Sequence, residues 1–154
     1  GYPFAFTNGV QGCHLELDVE TGLVRVLKAW VVEDCGRIIN PLLVDEQIRG
    51  GVVQGLGAAF FEECIYNEDG QLTNGSLADY LVPMAGEMPD IEIAHVETPT
   101  LDTQLGAKGV GEAGTAAASA AALNAVNDAM APFGGSIAQV PMTPARILKA
   151  LGRI

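Results

Sequence analysis

The stretch NPLLVDEQIRGGVVQGLGAAFFEE, residues 40–63, has the most regular helical pattern in the chain. Its first two residues suit a helix start, because the Asn40 side chain can accept a bond from a free backbone N–H and Pro41 has a helical torsion. Hydrophobic residues then recur every four positions, at Val44, Ile48, Val52, Leu56 and Phe60. This spacing predicts a helix from Asn40 to about Glu63 with one buried face.

Upstream of this helix the hydrophobic period changes to two. In CHLELDV, residues 13–19, apolar and polar residues alternate, as in a strand with one solvated face. Residues 20–22, ETG, suit a turn into a second strand over residues 23–32, so we expect a hairpin. Downstream of the helix, IEIAHVE at residues 91–97 is a candidate for a third strand.

Three ring-bearing side chains on these strands are expected to have ordinary structural roles. We expect Trp30 to be a core aromatic residue. His14 and His95 have no partner at metal-ligand spacing, so we expect them to be surface or core histidines.

The last third of the chain is rich in alanine. Of the twenty residues 112–131, ten are alanine, which predicts a helix that is small on nearly every side and fits between other layers. A final short helix is expected over residues 143–151, with Thr143 as its N-cap and Pro144 next. Together these elements predict an α+β fold, with a mixed sheet and two long helices, in a single domain over residues 1–154.

Composition narrows the classes of partner. The 154 residues are 49% hydrophobic, which is enough for one domain with a sizeable core. A formal net charge of -11 opposes binding to nucleic acid or to anionic lipid, and no apolar run approaches the length of a membrane span. Cys13, Cys35 and Cys64 lack the CxxC spacing of metal sites and disulfide frameworks, which favours a reducing, cytoplasmic location.

The glycine-rich stretch GAKGVGEAG, residues 106–114, allows two interpretations. Residues 109–114 spell GxGxxG, but the preceding ETPTLDTQLGAK is too polar for the buried strand that a dinucleotide-binding loop requires. The segment also places Glu112 at a helix N-terminus, where an ionised carboxylate is favoured and can act as a general base. An acidic residue in a first turn can equally serve only to satisfy the helix dipole.

Gln47 and Gln54 on the first long helix are seven residues apart and therefore share a face. Gly50 and Gly51 lie between them, so the surface is flat and small. Such a surface can receive either the polar edge of a cofactor or another helix.

Several long motifs resemble one family. DCGRIINPLLVDEQIRGGVVQGLGAAFFEE at residues 34–63 and GAKGVGEAG at residues 106–114 closely resemble the C-terminal region of the large subunit of the molybdenum hydroxylases, the xanthine oxidase and aldehyde oxidase family. The opening GYPFAFTNG and the later PMTPARILKAL are similar to the same region. The Glu-Ala-Gly that follows Gly111 is more similar to the carbon monoxide dehydrogenase-like and bacterial aldehyde-oxidising branches than to the xanthine oxidase branch.

The resemblance implies roles for particular residues. Glu112 corresponds to the general base beside a molybdenum that is held by a pterin dithiolene, so no residue of this chain is expected as a metal ligand. Gln47 corresponds to a donor to that cofactor, and the backbone of Lys108, Gly109, Val110 and Gly111 lines its molybdenum end. The implied cofactor is molybdopterin, usually as the cytosine dinucleotide in bacterial members.

The resemblance also implies that the chain is a C-terminal fragment of a longer molybdopterin-binding subunit. Family large subunits are several times longer, and their electrons leave through iron–sulfur and flavin (FAD) domains or subunits. We therefore expect partners of these kinds and an isolated chain that is inactive. Aldehydes, N-heterocycles and carbon monoxide all remain open as small-molecule substrates. The alternatives are a non-catalytic assembly module of the same fold and a nucleotide-binding domain that uses GxGxxG.

Overall fold

The computed structural model describes residues 5–154, so the first four residues of the GYPFAFTNG segment lie outside the described part. In chain order, the strands and longer helices are β1 (Asn8–Leu17), β2 (Val24–Asp34), α1 (Pro41–Phe60), β3 (Asp90–His95), α2 (Ala113–Met130) and α3 (Pro144–Ala150). Short 3-10 turns occur at Ala85–Glu87 and Ala131–Phe133. No helix among these residues has the length and hydrophobicity needed to cross a lipid bilayer.

The three strands form one mixed sheet in the order β1-β2-β3. β1 and β2 are an antiparallel hairpin, whereas β2 and β3 run parallel and pair Glu33 with His95. The predicted α+β fold with a mixed sheet is therefore confirmed. β1 begins at Asn8, five residues before the predicted start. The prediction missed its first half, NGVQG, because these residues lack the alternation that marks the second half.

The two faces of the sheet differ in burial. Ala29, Val31 and Glu33 of β2 lie on the face beneath the helices and are buried. Trp30 lies on the opposite face, where it is 40% exposed and stacks on His14 with the ring centroids 6.5 Å apart. The expectation that Trp30 is a core residue is therefore wrong, because successive residues of a strand point to opposite faces.

Helix α1 begins as the sequence predicts. The side chain of Asn40 accepts a hydrogen bond from the N–H of Leu43 over 3.3 Å, and Pro41 is the first helical residue. The helix ends at Phe60 rather than near Glu63. The predicted buried stripe is confirmed for Val44, Ile48, Val52 and Leu56.

Helices α1 and α2 pack backbone against backbone. A Cβ atom on Gly114 would lie 2.2 Å from the carbonyl oxygen of Ile48, and one on Gly51 would lie 2.9 Å from the amide nitrogen of Thr115. Of the two glycines between Gln47 and Gln54, Gly51 therefore faces another helix, whereas a Cβ on Gly50 would meet open space. Helix α2 also contacts β1, so the prediction of a small-sided helix between two layers is confirmed.

The core extends from the sheet through α1 and α2 to α3. The side chain of Thr143 accepts from the N–H of Arg146, and Pro144 is the first residue of α3, as predicted. Met142 and Ile147 are fully buried here. α3 begins near the end of α1 and the hairpin turn, since the N–H of Met142 donates to the carbonyl oxygen of Ala59 and a Cβ on Gly22 would lie 2.4 Å from the carbonyl oxygen of Pro144. The loop that precedes α2 instead passes the residues that follow β2.

Candidate functional site

The loop GAKGVGEAG is anchored to the residues that follow β2. The N–H of Lys108 donates to the carbonyl oxygen of Cys35 over 2.7 Å. Gly106 has φ +71°, and a Cβ on Gly36 would lie 2.4 Å from the Gly106 carbonyl oxygen. Glycine is therefore required on both sides of this crossing, and the crossing fixes where the loop passes β2.

An open cavity of about 380 Å³ lies between this loop, the segment after β2 and the start of α1. Four of the six predicted site residues contribute to its lining: Gln47, Lys108, Val110 and Gly111. Cys35, Arg37, Asn40 and Leu43 supply much of the remaining wall. The structure thus brings together residues that are more than sixty positions apart in sequence.

Gln47 contacts the glycine-rich loop directly. Its amide nitrogen donates to the carbonyl oxygen of Gly111 over 2.8 Å, and the side chain is otherwise exposed. An amide group has a second N–H and a carbonyl oxygen, for which residues 5–154 provide no partner. Gln47 can therefore hold the loop and still bind a further group.

Glu112 lies at the junction between the loop and α2. It is the N-cap residue of α2, and its carbonyl oxygen accepts from the N–H groups of Thr115 and Ala116, each over 3.1 Å. The predicted position at a helix N-terminus is therefore confirmed. The carboxylate is exposed and makes no hydrogen bond to any residue within 5–154.

The backbone of this segment has unused donors. In the described part of the chain, the N–H groups of residues 109–112 have no hydrogen-bond acceptor. A Cβ on Gly109 or Gly111 would meet no atom within 4 Å, in contrast to Gly114 at the helix crossing. Packing among residues 5–154 explains the third glycine of the motif but not the first two, which leaves room there for a ligand with hydrogen-bond acceptors.

The Lys108 side chain is directed away from this role. Its ammonium group lies 2.9 Å from both a carboxylate oxygen of Asp34 and the hydroxyl of Thr98, and only 7% of the side chain is exposed. Hydrogen bonding from Thr98, with further bonds from Gly36 and Lys108, holds the pKa of Asp34 well below its usual range. The charge of Lys108 is therefore neutralised inside the chain, and its backbone lines the cavity.

Several polar residues near the site were missed by sequence reasoning. The Gln11 amide on β1 donates to the carbonyl oxygens of Ala113 and Gly114, at 3.2 and 2.9 Å. Glu33 is 2% exposed, and one of its carboxylate oxygens has no partner among the described residues. The available signal was position, since both residues occupy inward places in their strands, where alternation predicts apolar side chains.

Two other kinds of site are not formed by the described residues. Within residues 5–154, no group of three His, Cys, Asp or Glu side chains lies in position to hold a metal ion. β3 ends at His95, and the stretch from 96 to 108 contains only an isolated bridge at Ala107. A dinucleotide-binding loop needs a strand directly before its first glycine, so this geometry disfavours that interpretation of GxGxxG.

Comparison with known proteins gives the family. Residues 1–89, more than half of the chain, match the model of the molybdopterin cofactor-binding domain. The chain belongs to the molybdopterin cofactor-binding domain family. This molybdopterin-binding chain is 49% identical over 145 residues, or 94% of its length, to the nicotine 6-hydroxylase large subunit of Paenarthrobacter nicotinovorans. It is 34% identical over 96% of its length to the carbon monoxide dehydrogenase large chain of Afipia carboxidovorans.

A solved structure shares the fold of this chain. The crystal structure of quinoline 2-oxidoreductase from Pseudomonas putida 86 matches 95% of the chain with a TM-score of 0.92 and 44% identity. The molybdopterin-binding chain spans 18% of the nicotine 6-hydroxylase large subunit and 19% of the quinoline 2-oxidoreductase chain. It therefore matches about a fifth of the length of these relatives.

Proposed function

We propose that this chain is the C-terminal part of the large subunit of a molybdenum hydroxylase and forms the base-bearing wall of its cofactor site. The observation that carries the proposal is that Gln47 and the loop residues Lys108, Val110 and Gly111 line one cavity, and that Glu112 follows directly at the start of α2. The family match to a molybdopterin-binding domain supports the same assignment.

The residues present fit a molybdopterin group. Its phosphates and ring carbonyls are hydrogen-bond acceptors, and the wall offers donors near the loop: the second N–H of the Gln47 amide and the backbone N–H groups of residues 109–112, which have no acceptor within residues 5–154. The absence of side chains at Gly109 and Gly111 leaves space for a flat group to approach the backbone. The cytosine dinucleotide form is the form we propose, by likeness to bacterial members of the family.

Glu112 is the catalytic residue in this proposal. When bound, the molybdenum cofactor supplies the two-electron oxidation that lets a water-derived oxygen replace hydrogen on a substrate carbon. The Glu112 carboxylate, which makes no hydrogen bond within residues 5–154, accepts the proton lost by that oxygen. Gln47 and the backbone of residues 108–111 bind the cofactor and hold it beside this carboxylate.

We propose aromatic N-heterocycles as the substrate class. The relatives with 49% and 44% identity are named for nicotine and quinoline, whereas those named for carbon monoxide and for aldehydes are 34% and 36% identical. In such heterocycles the carbon beside the ring nitrogen is electron-poor, which suits attack by a nucleophilic oxygen.

The assembly is proposed from the same relatives. Their names include a large subunit, a large chain and a complex subunit gamma, so we propose that this chain works with the rest of its large subunit and with iron–sulfur and FAD-bearing partners. The three free cysteines support a reducing, cytoplasmic location.

Metal analysis and turnover of the complete enzyme test the proposal. We expect stoichiometric molybdenum and oxidation of quinoline or nicotine in preference to benzaldehyde or carbon monoxide. A complete, folded enzyme that contains no molybdenum would instead identify the chain as a non-catalytic assembly module. Preferred oxidation of benzaldehyde or carbon monoxide would overturn only the substrate class.

A further inference from the structure

We propose that Gln11 is a positioning residue, which fixes the start of α2 so that the Glu112 carboxylate projects in one direction. This inference rests on the proposed function of Glu112 and concerns a residue on β1, far from the site motifs in sequence. Its basis is the set of side-chain donors that hold the backbone on either side of Glu112.

The carbonyl groups around Glu112 are held from two different elements. On the N-terminal side, the Gln47 amide of α1 donates to Gly111 over 2.8 Å. On the C-terminal side, the Gln11 amide of β1 donates to Gly114 over 2.9 Å and to Ala113 over 3.2 Å. Glu112 is thus bracketed by two amide donors that reach it from a helix and from the sheet.

The partners of the Gln11 amide determine its orientation. Both of its partners are backbone carbonyl oxygens, which can only accept, so the NH₂ group and not the amide oxygen must face α2. The side chain is half-buried at the contact between β1 and α2, which excludes much of the water that competes for these bonds.

A buried carboxylate lies next to this contact. Glu33 is 2% exposed and follows Val31, the register partner of Gln11, by two residues, so it lies on the same face of the sheet. Burial raises the pKa of Glu33, and the Gln11 amide and His95 act in the opposite direction. Gln11 therefore lies between a buried acid and the first turn of α2, and it donates to the carbonyl groups of that turn.

The position of the Glu112 carboxylate depends on this backbone. Since the side chain makes no hydrogen bond to residues 5–154, nothing but the loop and the helix start determines where it projects. Helix packing holds α2 at Gly114 through the contact with Ile48, but that contact lies on the α1 side. Gln11 adds hydrogen bonds from the sheet at the first turn itself, and without them we expect this turn to be held less tightly on its β1 side.

The test is a double-mutant cycle in the complete molybdenum-loaded enzyme, with kcat and KM measured for quinoline or, if it is the better substrate, nicotine. Gln11→Met keeps the length and volume of the side chain but removes its donors. We expect kcat to fall about 10- to 100-fold, the usual effect of a displacement near 1 Å, with KM, molybdenum content and fold nearly unchanged. Gln54→Met is the matched control, since the one hydrogen bond of the Gln54 side chain within residues 5–154 is accepted from the Thr115 hydroxyl, over 3.4 Å.

The cycle with Glu112→Gln separates positioning from general damage. If Gln11 acts through Glu112, Gln11→Met should cause no further loss of kcat in the Glu112→Gln background, whereas a structural defect would multiply the losses. Gln11→Lys, which restores N–H donors at similar reach, should recover part of kcat.

Each other outcome overturns a defined claim. Multiplied losses, or wild-type kcat in Gln11→Met, would overturn the role of Gln11 while leaving that of Glu112 intact. Wild-type kcat in Glu112→Gln would overturn the proposed base and this inference with it. If Gln11→Met does not fold, the same cycle is carried out with Gln11→Lys. A loss of kcat caused by Gln11→Lys that persists in the Glu112→Gln background would exclude a positioning role.

Discussion

The amide nitrogen of Gln47 and the carbonyl oxygen of Gly111 lie 2.8 Å apart and form a hydrogen bond between α1 and the loop that precedes α2. The two residues are 64 positions apart in the chain. The bond joins α1 to the loop that precedes α2, and the family resemblance implies that both segments bind the cofactor. It also gives Gln47 a second role, since the same amide holds the loop in place.

Replacing Gln47 with alanine should weaken retention of the molybdenum cofactor in the complete enzyme. Loss of one buried hydrogen bond costs about 1–3 kcal/mol, which corresponds to about a 5- to 150-fold loss of affinity. Molybdenum content after dialysis is the measurement. Gln54→Ala, on the same helix face, should retain the metal, and equal content in wild type and Gln47→Ala would exclude the contact.

Replacing Glu112 with glutamine should abolish most of the turnover without unfolding the enzyme. Glutamine keeps the size of the side chain but cannot accept the proton, so kcat should fall by about 10²–10⁴. If the carboxylate served only the helix dipole, the change would cost about 0.3–1 kcal/mol of stability and leave the rate intact. Asp128→Asn, which changes an exposed acid farther along α2, is the control. For each variant, kcat, molybdenum content and melting temperature are measured on the same preparation.

Replacing Gly114 with alanine should destabilise the chain. The new Cβ would lie 2.2 Å from the Ile48 carbonyl oxygen, so α1 and α2 must separate, and overpacking of this kind costs about 1–3 kcal/mol. Gly50→Ala, also within a helix but facing open space, should instead stabilise by about 0.5–1 kcal/mol. Urea unfolding of the purified chain measures the free energy of unfolding of both variants. An unchanged free energy in Gly114→Ala would show that the helices have space for a Cβ at this crossing.

Asp34 should contribute a pH-dependent part of the stability. Because its pKa is lower in the folded chain than its ordinary value of 3.8, the unfolded chain binds more protons in the acid range. The contribution is therefore complete above that ordinary value and is lost as the pH falls through the folded pKa. Asp34→Asn should be less stable than wild type at pH 7, by a margin that narrows toward pH 2.

Urea unfolding at several pH values checks the Asp34 prediction. Asp69→Asn, in an exposed turn, provides the comparison for a carboxylate outside any ion pair of the described residues. A difference between wild type and Asp34→Asn that stays constant from neutral to acid pH would contradict the mechanism.

Local signals allowed most of the fold to be predicted. The caps at Asn40 and Thr143 were predicted correctly, because a cap depends on a side chain and on backbone groups within a few residues. The exposed Trp30 was not, since residue type alone does not indicate which face of a strand is covered. The roles of Gln11 and Glu33 were not predicted, because their partners are distant in sequence and come close only when the chain folds.

The candidate site also has features that the sequence predicts and features that it does not. Gln47, Glu112 and the glycines could be assigned from motifs whose order along the chain is distinctive. The ion pair of Lys108 with Asp34 could not, because 74 residues separate the two and neither charge belongs to a regular spacing. The sequence motifs therefore indicate only a backbone role for Lys108, and the pairing of its side chain with Asp34 becomes visible only in the folded chain.

The contact between α1 and α2 has a consequence for how relatives diverge. At Gly51 and Gly114 the two helices meet through backbone atoms, and neither position has space for one additional carbon atom. The relative placement of Gln47 and Glu112 therefore resists gradual adjustment through substitutions at this crossing. We therefore expect changes of substrate preference to arise at other residues around the cavity rather than at this crossing.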